Sequence, residues 1–198
     1  MMKIVIATKN QHKLKEFKRI LEPLGYEVLS QADAGVDVDV EETGTTFEEN
    51  SMLKAQAIYH ACGLCTIADD SGLSVDALNG EPGVYSARYG GPGLDDEGRC
   101  RLLLKNMEQV PILERTARFV SVISLIFSEN DKRVYRGEAE GMIGYDMLGK
   151  DGFGYDPVFM VNGTDSFATL TGAQKDKISH RGKALEQMQE DLKNNPPV

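Results

Sequence analysis

Hydrophobic positions change period from segment to segment along the chain, and the changes mark out elements. Met1-Met2-Lys3-Ile4-Val5-Ile6-Ala7-Thr8 is apolar but short and turns polar at Lys9-Asn10-Gln11-His12-Lys13, which predicts a first buried strand rather than a signal peptide. Leu14, Phe17, Ile20, Leu21 and Leu24 then recur at helical spacing with Lys13, Lys15, Lys18 and Arg19 turned outward, and this helix should end near Pro23-Leu24-Gly25. Tyr26 to Leu29 reads as a short strand, and the acidic, aperiodic stretch from Asp33 to Glu42 as a loop. A second helix opens at Thr45 or Thr46, because Thr45-x-x-Glu48 and Thr46-x-x-Glu49 both fit a capping box; Gly63 is placed to end it.

Leu64 to Ala68 runs straight into Asp69-Asp70-Ser71-Gly72, which predicts both carboxylates at the carboxyl end of a strand, where open α/β sheets bind ligands. Asp95 to Met107 has helical character, and Ala117 to Phe127 alternates as a long strand. Glu129-Asn130-Asp131 then turns the chain back into Arg133 to Glu140 as a hairpin. A last helix starts near Ser179 and carries Leu185, Met188 and Leu192 before Asn194-Asn195-Pro196-Pro197. Strand and helix alternate in the first half and strands follow, so the fold class is α/β.

Composition narrows the function. With 198 residues, 41% of them hydrophobic, and no long apolar run, the chain reads as one soluble domain with no membrane partner. Its 31 acidic against 22 basic residues leave a net charge of -9, which excludes the electrostatic footprint of a nucleic-acid polymer binder but not a small polyanion in a local basic pocket. Three cysteines, an odd number, argue against a disulfide framework and for a reducing compartment, by default the cytoplasm.

The candidate chemistry is oxygen-rich and anion-directed. Thr8-Lys9-Asn10-Gln11-His12-Lys13 lies between a strand and a helix, where backbone N–H groups, an amide, a hydroxyl and a lysine make an anion cradle; it also fits a plain polar turn with a solvated lysine. Asp69-Asp70, with Glu41-Glu42 in a preceding loop, gathers acidic oxygens that need a cation, and oxygen-only ligation favours Mg²⁺. Gly152-Phe153-Gly154-Tyr155-Asp156-Pro157 offers an aromatic turn suited to stacking, or simply a turn in a sheet. In Lys177-Ile178-Ser179-His180-Arg181, a cation near a helix N-terminus is disfavoured by the dipole unless an anion or ligand offsets it. Three other motifs are discounted. Gly144 to Lys150 imitates a P-loop, but Asp151 replaces the hydroxyl residue and no buried strand precedes it. Cys62-Gly63-Leu64-Cys65 stands alone where a helix ends, and Asp37-Val38-Asp39 follows no hydrophobic strand.

The ordered set Thr8-x-Asn10-x-x-Lys13, Glu42-Thr43-Gly44-x-Thr46-Phe47-x-Glu49-Asn50, Lys54-Ala55, Ala68-Asp69-Asp70-Ser71-Gly72-Leu73, Pro82 to Arg88, Gly152 to Pro157 and Ile178-Ser179-His180-Arg181 resembles the inosine triphosphate pyrophosphatases, from residue 3 to about residue 190. The resemblance implies a mixed central sheet flanked by helices, with two lobes and a substrate cleft between them, usually as a homodimer. It implies hydrolysis of inosine, deoxyinosine and xanthosine triphosphates to monophosphate and pyrophosphate with Mg²⁺. By the same analogy Asp70 is proton acceptor and metal ligand, with Glu41 or Glu42 as the second acidic contact. Thr8, Lys9, Asn10, Gln11, His12 and Lys13 would hold the triphosphate with Lys54 and Ser71, while Phe153, Gly154, Tyr155, Asp156, Lys175, His180 and Arg181 would enclose the nucleoside. Asp146 to Asp151 departs from the family's Gly-Thr-Gly-Gly loop, and Thr169 stands where an acidic residue is usual. Two alternatives remain: a pyrophosphatase of the septum-associated type with another base preference, and a nucleotide-binding module without hydrolysis.

Overall fold

The computed structural model describes residues 2–197, so Met1 of the expected first strand lies outside the described residues. In chain order the elements are β1 (Met2–Ile6), α1 (Gln11–Leu21), β2 (Tyr26–Ser30), α2 (Phe47–Cys62), β3 (Thr66–Val75), α3 (Asp96–Asn106), β4 (Thr116–Ser128), β5 (Asp131–Ile143), β6 (Phe159–Met160), α4 (Gly172–Ile178) and α5 (His180–Asn194). The strands form one mixed sheet in the order β2-β1-β3-β4-β5-β6. β1 is parallel to both neighbours, pairing Ile4 with Val28 and Ile6 with Ile67, and β6 is antiparallel to β5. No helix among the described residues is long and apolar enough to cross a membrane.

The chain divides into two compact units: Met1–Asp70, Ser121–Gly137 and Arg181–Val198 make the first, and Ser71–Val120 with Glu138–His180 the second. Within the first unit the pleat sorts side chains to two faces. Ile4, Ile6 and Ile67 meet Leu14, Phe17 and Leu21 of α1 and Ala184, Leu185 and Met188 of α5. Val5, Ala7 and Ala68 point the other way, onto Ala55 and Ile58 of α2. The second unit has its own core, in which Leu73, Val75, Cys100, Leu103, Phe119, Ile143, Phe159 and Phe167 are buried together.

Two expectations are corrected. Asp69 and Asp70 lie inside β3, not at its end, because Leu73 and Val75 are fully buried and keep the chain extended beyond Ser71-Gly72. They do lie past the last β1–β3 pair, Ile6 with Ile67, so the neighbouring strand has already ended beside them. Lys13 is not turned outward: its side chain is 16% exposed and reaches Asp69. A helix unread in the sequence, α4, is opened by a Thr171–Gln174 capping box. Of the two boxes offered for α2, the chain uses Thr46 with Glu49, and Gly63 ends the helix in the left-handed region.

Candidate active site

The first unit gathers charge around adjacent carboxylates that point to opposite faces of β3. Asp69 shares the face of Ile67, toward α1 and α5. There Arg181, 1% exposed, donates through Nη2 to Asp69 Oδ2 at 2.7 Å and through Nη1 to Glu16. Lys13 Nζ lies 3.2 Å from Asp69 Oδ1. Burial works against the ionised Asp69, but Arg181, Lys13 and Lys54 outweigh it and hold the carboxyl well below its usual range. The buried Glu16 and Asp69 also supply the anions that offset a cation at the start of α5.

Asp70 shares the face of Ala68, toward α2. Lys54 Nζ donates to Asp70 Oδ1 at 3.1 Å and to Glu42 Oε1 at 2.6 Å. Asp70 Oδ2 is buried and has no hydrogen-bond partner. Burial dominates here: it raises the Asp70 carboxyl despite Lys54 and Lys13, with Glu42 adding to the rise. Burial also works against the charge of Lys54, yet Asp70, Asp69 and Glu42 together raise its pKa. On Lys13 burial prevails over the pull of Asp69 and lowers it.

Local structure sets the Glu42 side of this cluster. Thr46 caps α2, and the buried Asn50 accepts the Gly44 N–H through Oδ1 at 2.8 Å, which ties the strap carrying Glu42 to the helix that carries Lys54 one turn later. Gly44 must be glycine, since a Cβ there would lie 2.6 Å from Glu49 Cβ and 2.7 Å from Asn50 Oδ1. Glu42 is half-buried against Lys54, whereas Glu41 is exposed. Among the described residues no three His, Cys, Asp or Glu side chains come together as a metal cluster; Glu42 and Asp70 both meet Lys54.

The cradle between β1 and α1 is more self-contained than its sequence suggests. Asn10 caps α1, its Oδ1 accepting from His12 N–H at 2.9 Å and Lys13 N–H at 3.2 Å, while Thr8 Oγ1 accepts from Asn10 N–H at 3.1 Å. These side chains take up amides an anion would otherwise use, so anion affinity here rests on lysine charge. Lys9 Nζ lies 3.4 Å from Asp39 and 3.8 Å from Asp37, while Gln11 and His12 stand exposed on the first turn.

The second unit holds the aromatic turn. Gly152 and Gly154 both have positive φ, 77° and 60°. Asp156, 2% exposed, accepts from Phe153 N–H at 3.0 Å and from Lys175 Nζ at 2.7 Å. A Cβ on Gly152 would lie 2.0 Å from Asp156 Oδ2, so glycine is required. Lys175 Nζ sits 4.9 Å from the centre of the Phe153 ring and 5.5 Å from that of Phe167. His180 stacks on Phe119 with centroids 4.8 Å apart and planes 11° from parallel. Tyr155 is buried, and its hydroxyl donates to Ser86 O at 2.7 Å. Ser71, half-buried on β3, belongs to this unit's part of the chain.

Sequence reasoning missed Glu16, Phe119 and Phe167, and named Asn50 in a motif without giving it a role. Glu16 stands three residues after Lys13 and beside the core residue Phe17, a position at which a carboxylate requires a buried cation. The two phenylalanines gave no signal beyond the spacing of ordinary core positions.

Comparison with known proteins gives a consistent result. The model of the Ham1 family matches residues 4–191. A dITP/XTP pyrophosphatase of Bacillus licheniformis is 47% identical over 189 residues, covering 95% of this chain and 96% of that protein. The solved structure of the Staphylococcus aureus Ham1 protein superposes with a TM-score of 0.85 at 44% identity, covering 97% of this chain and 98% of that one. A HAM1 protein from Coxiella burnetii gives 0.87 at 40% identity, covering 98% and 100%.

Proposed function

The chain belongs to the Ham1 family, and from that premise we propose that it hydrolyses non-canonical purine nucleoside triphosphates (dITP, ITP and XTP) to the nucleoside monophosphate and pyrophosphate. The observation that carries the reading is Asp70: a buried carboxylate with one oxygen on Lys54 and the other without a hydrogen-bond partner, next to Asp69, whose two oxygens are ion-paired with Arg181 and Lys13. Relatives bearing the name dITP/XTP pyrophosphatase at 46–47% identity support the substrate class.

In the reaction, a water oxygen bonds to the α-phosphorus and the bond from that phosphorus to the α,β-bridging oxygen breaks. Pyrophosphate leaves, and the water's proton passes to Asp70 Oδ2. A carboxyl raised by burial is a better proton acceptor than an ordinary surface aspartate, whose pKa is about 3.9. Lys54 and Lys13 neutralise charge on the phosphate oxygens, and Lys9 adds a flexible cation at the mouth of the cradle. The donor set fits Mg²⁺, an ion that takes one or two carboxylates and completes its shell with water and substrate phosphates. Glu42 and Asp70 would hold it through their carboxylates, which Lys54 already brings together. When bound, it supplies further charge neutralisation on the transferred phosphoryl group.

The purine belongs with the aromatic turn, where Phe153 offers a stacking face and Lys175 and His180 offer polar edges. Donors at the start of α5 suit a 6-oxo group, and a site built around such a hydrogen bond rejects the 6-amino group of adenine. Arg181 serves this reading as the holder of Asp69 and Glu16, the two carboxylates its guanidinium meets. The proposal includes a homodimer in a reducing cytoplasm, in keeping with the free thiols of Cys62, Cys65 and Cys100. The test is a panel of dITP, XTP, ITP, dATP and dGTP with Mg²⁺, assayed for pyrophosphate. Preferential release of pyrophosphate from the 6-oxo substrates is expected. Stepwise release of orthophosphate, or equal turnover of dATP, would overturn the reading.

A further inference from the structure

We propose that Asp96 and Cys100 of α3 are positioning residues for base recognition, clasping the Gly154 backbone so that Phe153 is presented in one orientation. The inference rests on the reading that the Phe153 turn meets the purine. Asp96 and Cys100 are four residues apart and so share one face of the helix. Gly154 N–H donates to Asp96 Oδ2 at 2.8 Å, and the Cys100 thiol donates to Gly154 O, with Sγ 3.3 Å away. These two groups belong to the peptide planes on either side of the Gly154 Cα, so together they fix its φ and ψ. The φ is +60°, a conformation the free chain has no reason to keep.

The clasp continues a pattern around Phe153. Its own N–H donates to Asp156 Oδ2 at 3.0 Å, while the next peptide N–H, that of Gly154, goes to Asp96. Both peptide groups flanking the Phe153 Cα are therefore held by carboxylates, one buried beside Lys175 and the other at the first turn of α3. Charge-assisted bonds of this kind are the stronger class. Arg99 Nη1, 3.5 Å from Asp96 Oδ1, steadies the second carboxylate. Cys100 is buried, and burial, reinforced by the charges of Asp96 and Asp156, pushes its thiol up to about 12, so it remains the donor that the Gly154 carbonyl requires. A turn needed only to reverse the chain could leave these groups to water. This one is immobilised at both ends of the residue that carries the ring.

The test compares Asp96→Ala and Cys100→Ala with their conservative counterparts Asp96→Asn and Cys100→Ser, each assayed for KM and kcat on dITP and dATP and for thermal stability. Loss of either clasping bond should raise KM for dITP about tenfold and narrow the dITP-to-dATP preference by a similar factor, with kcat within about twofold. Asn or Ser should restore most of both. Phe153→Ala is the control for the underlying reading: if it leaves KM and preference unchanged, the turn does not meet the base. If Phe153→Ala raises KM while Asp96→Ala and Cys100→Ala lower only the melting temperature, the clasp is structural and the proposal fails. Cys100→Ala removes a single sulfur atom and carries the test should Asp96→Ala not fold.

Discussion

Replacing Arg181 with methionine keeps an apolar stem in the core and removes the guanidinium that Glu16 and Asp69 share. Removing one partner of a buried ion pair costs about 3–5 kcal/mol, because the remaining charge keeps its burial and loses its compensation. Lys13 Nζ, 3.2 Å from Asp69 Oδ1, still partly neutralises Asp69. Glu16, whose side chain is 8% exposed, loses its bond to Arg181, and with Asp69 partly compensated the loss falls near the lower end, about 3 kcal/mol. For a chain of this length each kcal/mol shifts the melting temperature by about 2–4 °C, so Arg181→Met should melt roughly 6–12 °C below the parent.

Calorimetry at several pH values separates charge from packing. Burial alone would raise the Asp69 carboxyl, but Arg181 above all, then Lys13 and Lys54, depresses it. A depressed carboxyl contributes stability that is present above its unfolded pKa, near 3.9, and is lost as pH falls toward the folded value. In Arg181→Met most of that depression is gone, so there is less to lose on acidification, and the gap between parent and variant should hold from pH 7 to about pH 4 and shrink below it. In a double-mutant cycle, Glu16→Gln should recover part of the loss, since a neutral amide needs no counter-charge. A gap under about 1 kcal/mol at pH 7, or one that keeps its size as the pH falls well below about 4, would refute the argument that these charges are buried together.

Asp70→Asn should abolish turnover while leaving the melting temperature equal or higher, because burial already disfavours its ionised form and Lys54 keeps Glu42; a clear fall in stability would contradict this, and calorimetry beside the pyrophosphate assay decides it. Gly44→Ala forces a Cβ against Glu49 and Asn50 and displaces the strap of Glu42, so the Mg²⁺ concentration for half-maximal activity should rise several-fold, read from a metal titration. Gly152→Ala combines a φ of +77° with a Cβ 2.0 Å from Asp156 Oδ2; it should destabilise by at least about 1–2 kcal/mol and weaken dITP binding, measured by denaturant titration and KM.

Much of this architecture was legible in the sequence because the local signals were strong and mutually consistent. The helix of Leu14 and Phe17, the cap at Thr46 and the stop at Gly63 each follow from backbone chemistry within a few residues. What resisted reading depends on distant partners. Lys13 looks solvated on a helical wheel, and only the proximity of β3 turns it inward. Ser71-Gly72 looks like a turn, and only the buried Leu73 and Val75 keep it extended. Glu16 lies 165 residues from Arg181, so no local period could pair them. The family resemblance supplied residue roles but left Glu41 and Glu42 undivided; that Glu41 is exposed while Glu42 lies against Lys54 depends on the strap that Asn50 ties down, which no local pattern shows.

The two adjacent aspartates show how one strand can divide labour between identical side chains. Alternation sends Asp69 to the α1–α5 face and Asp70 to the α2 face, so neighbours in sequence inhabit different electrostatic surroundings. Asp69 meets a buried arginine and a lysine and is held ionised; Asp70 meets one lysine, shares it with Glu42, and is raised by burial. Titrations pushed in opposite directions distinguish a fixed anion from a proton acceptor. Reversing the assignment would require Asp69 to bind a proton beside Arg181, the strongest local opponent of protonation. Under the proposed function the chemistry therefore falls to Asp70, while Asp69 holds Arg181 and Lys13 in place.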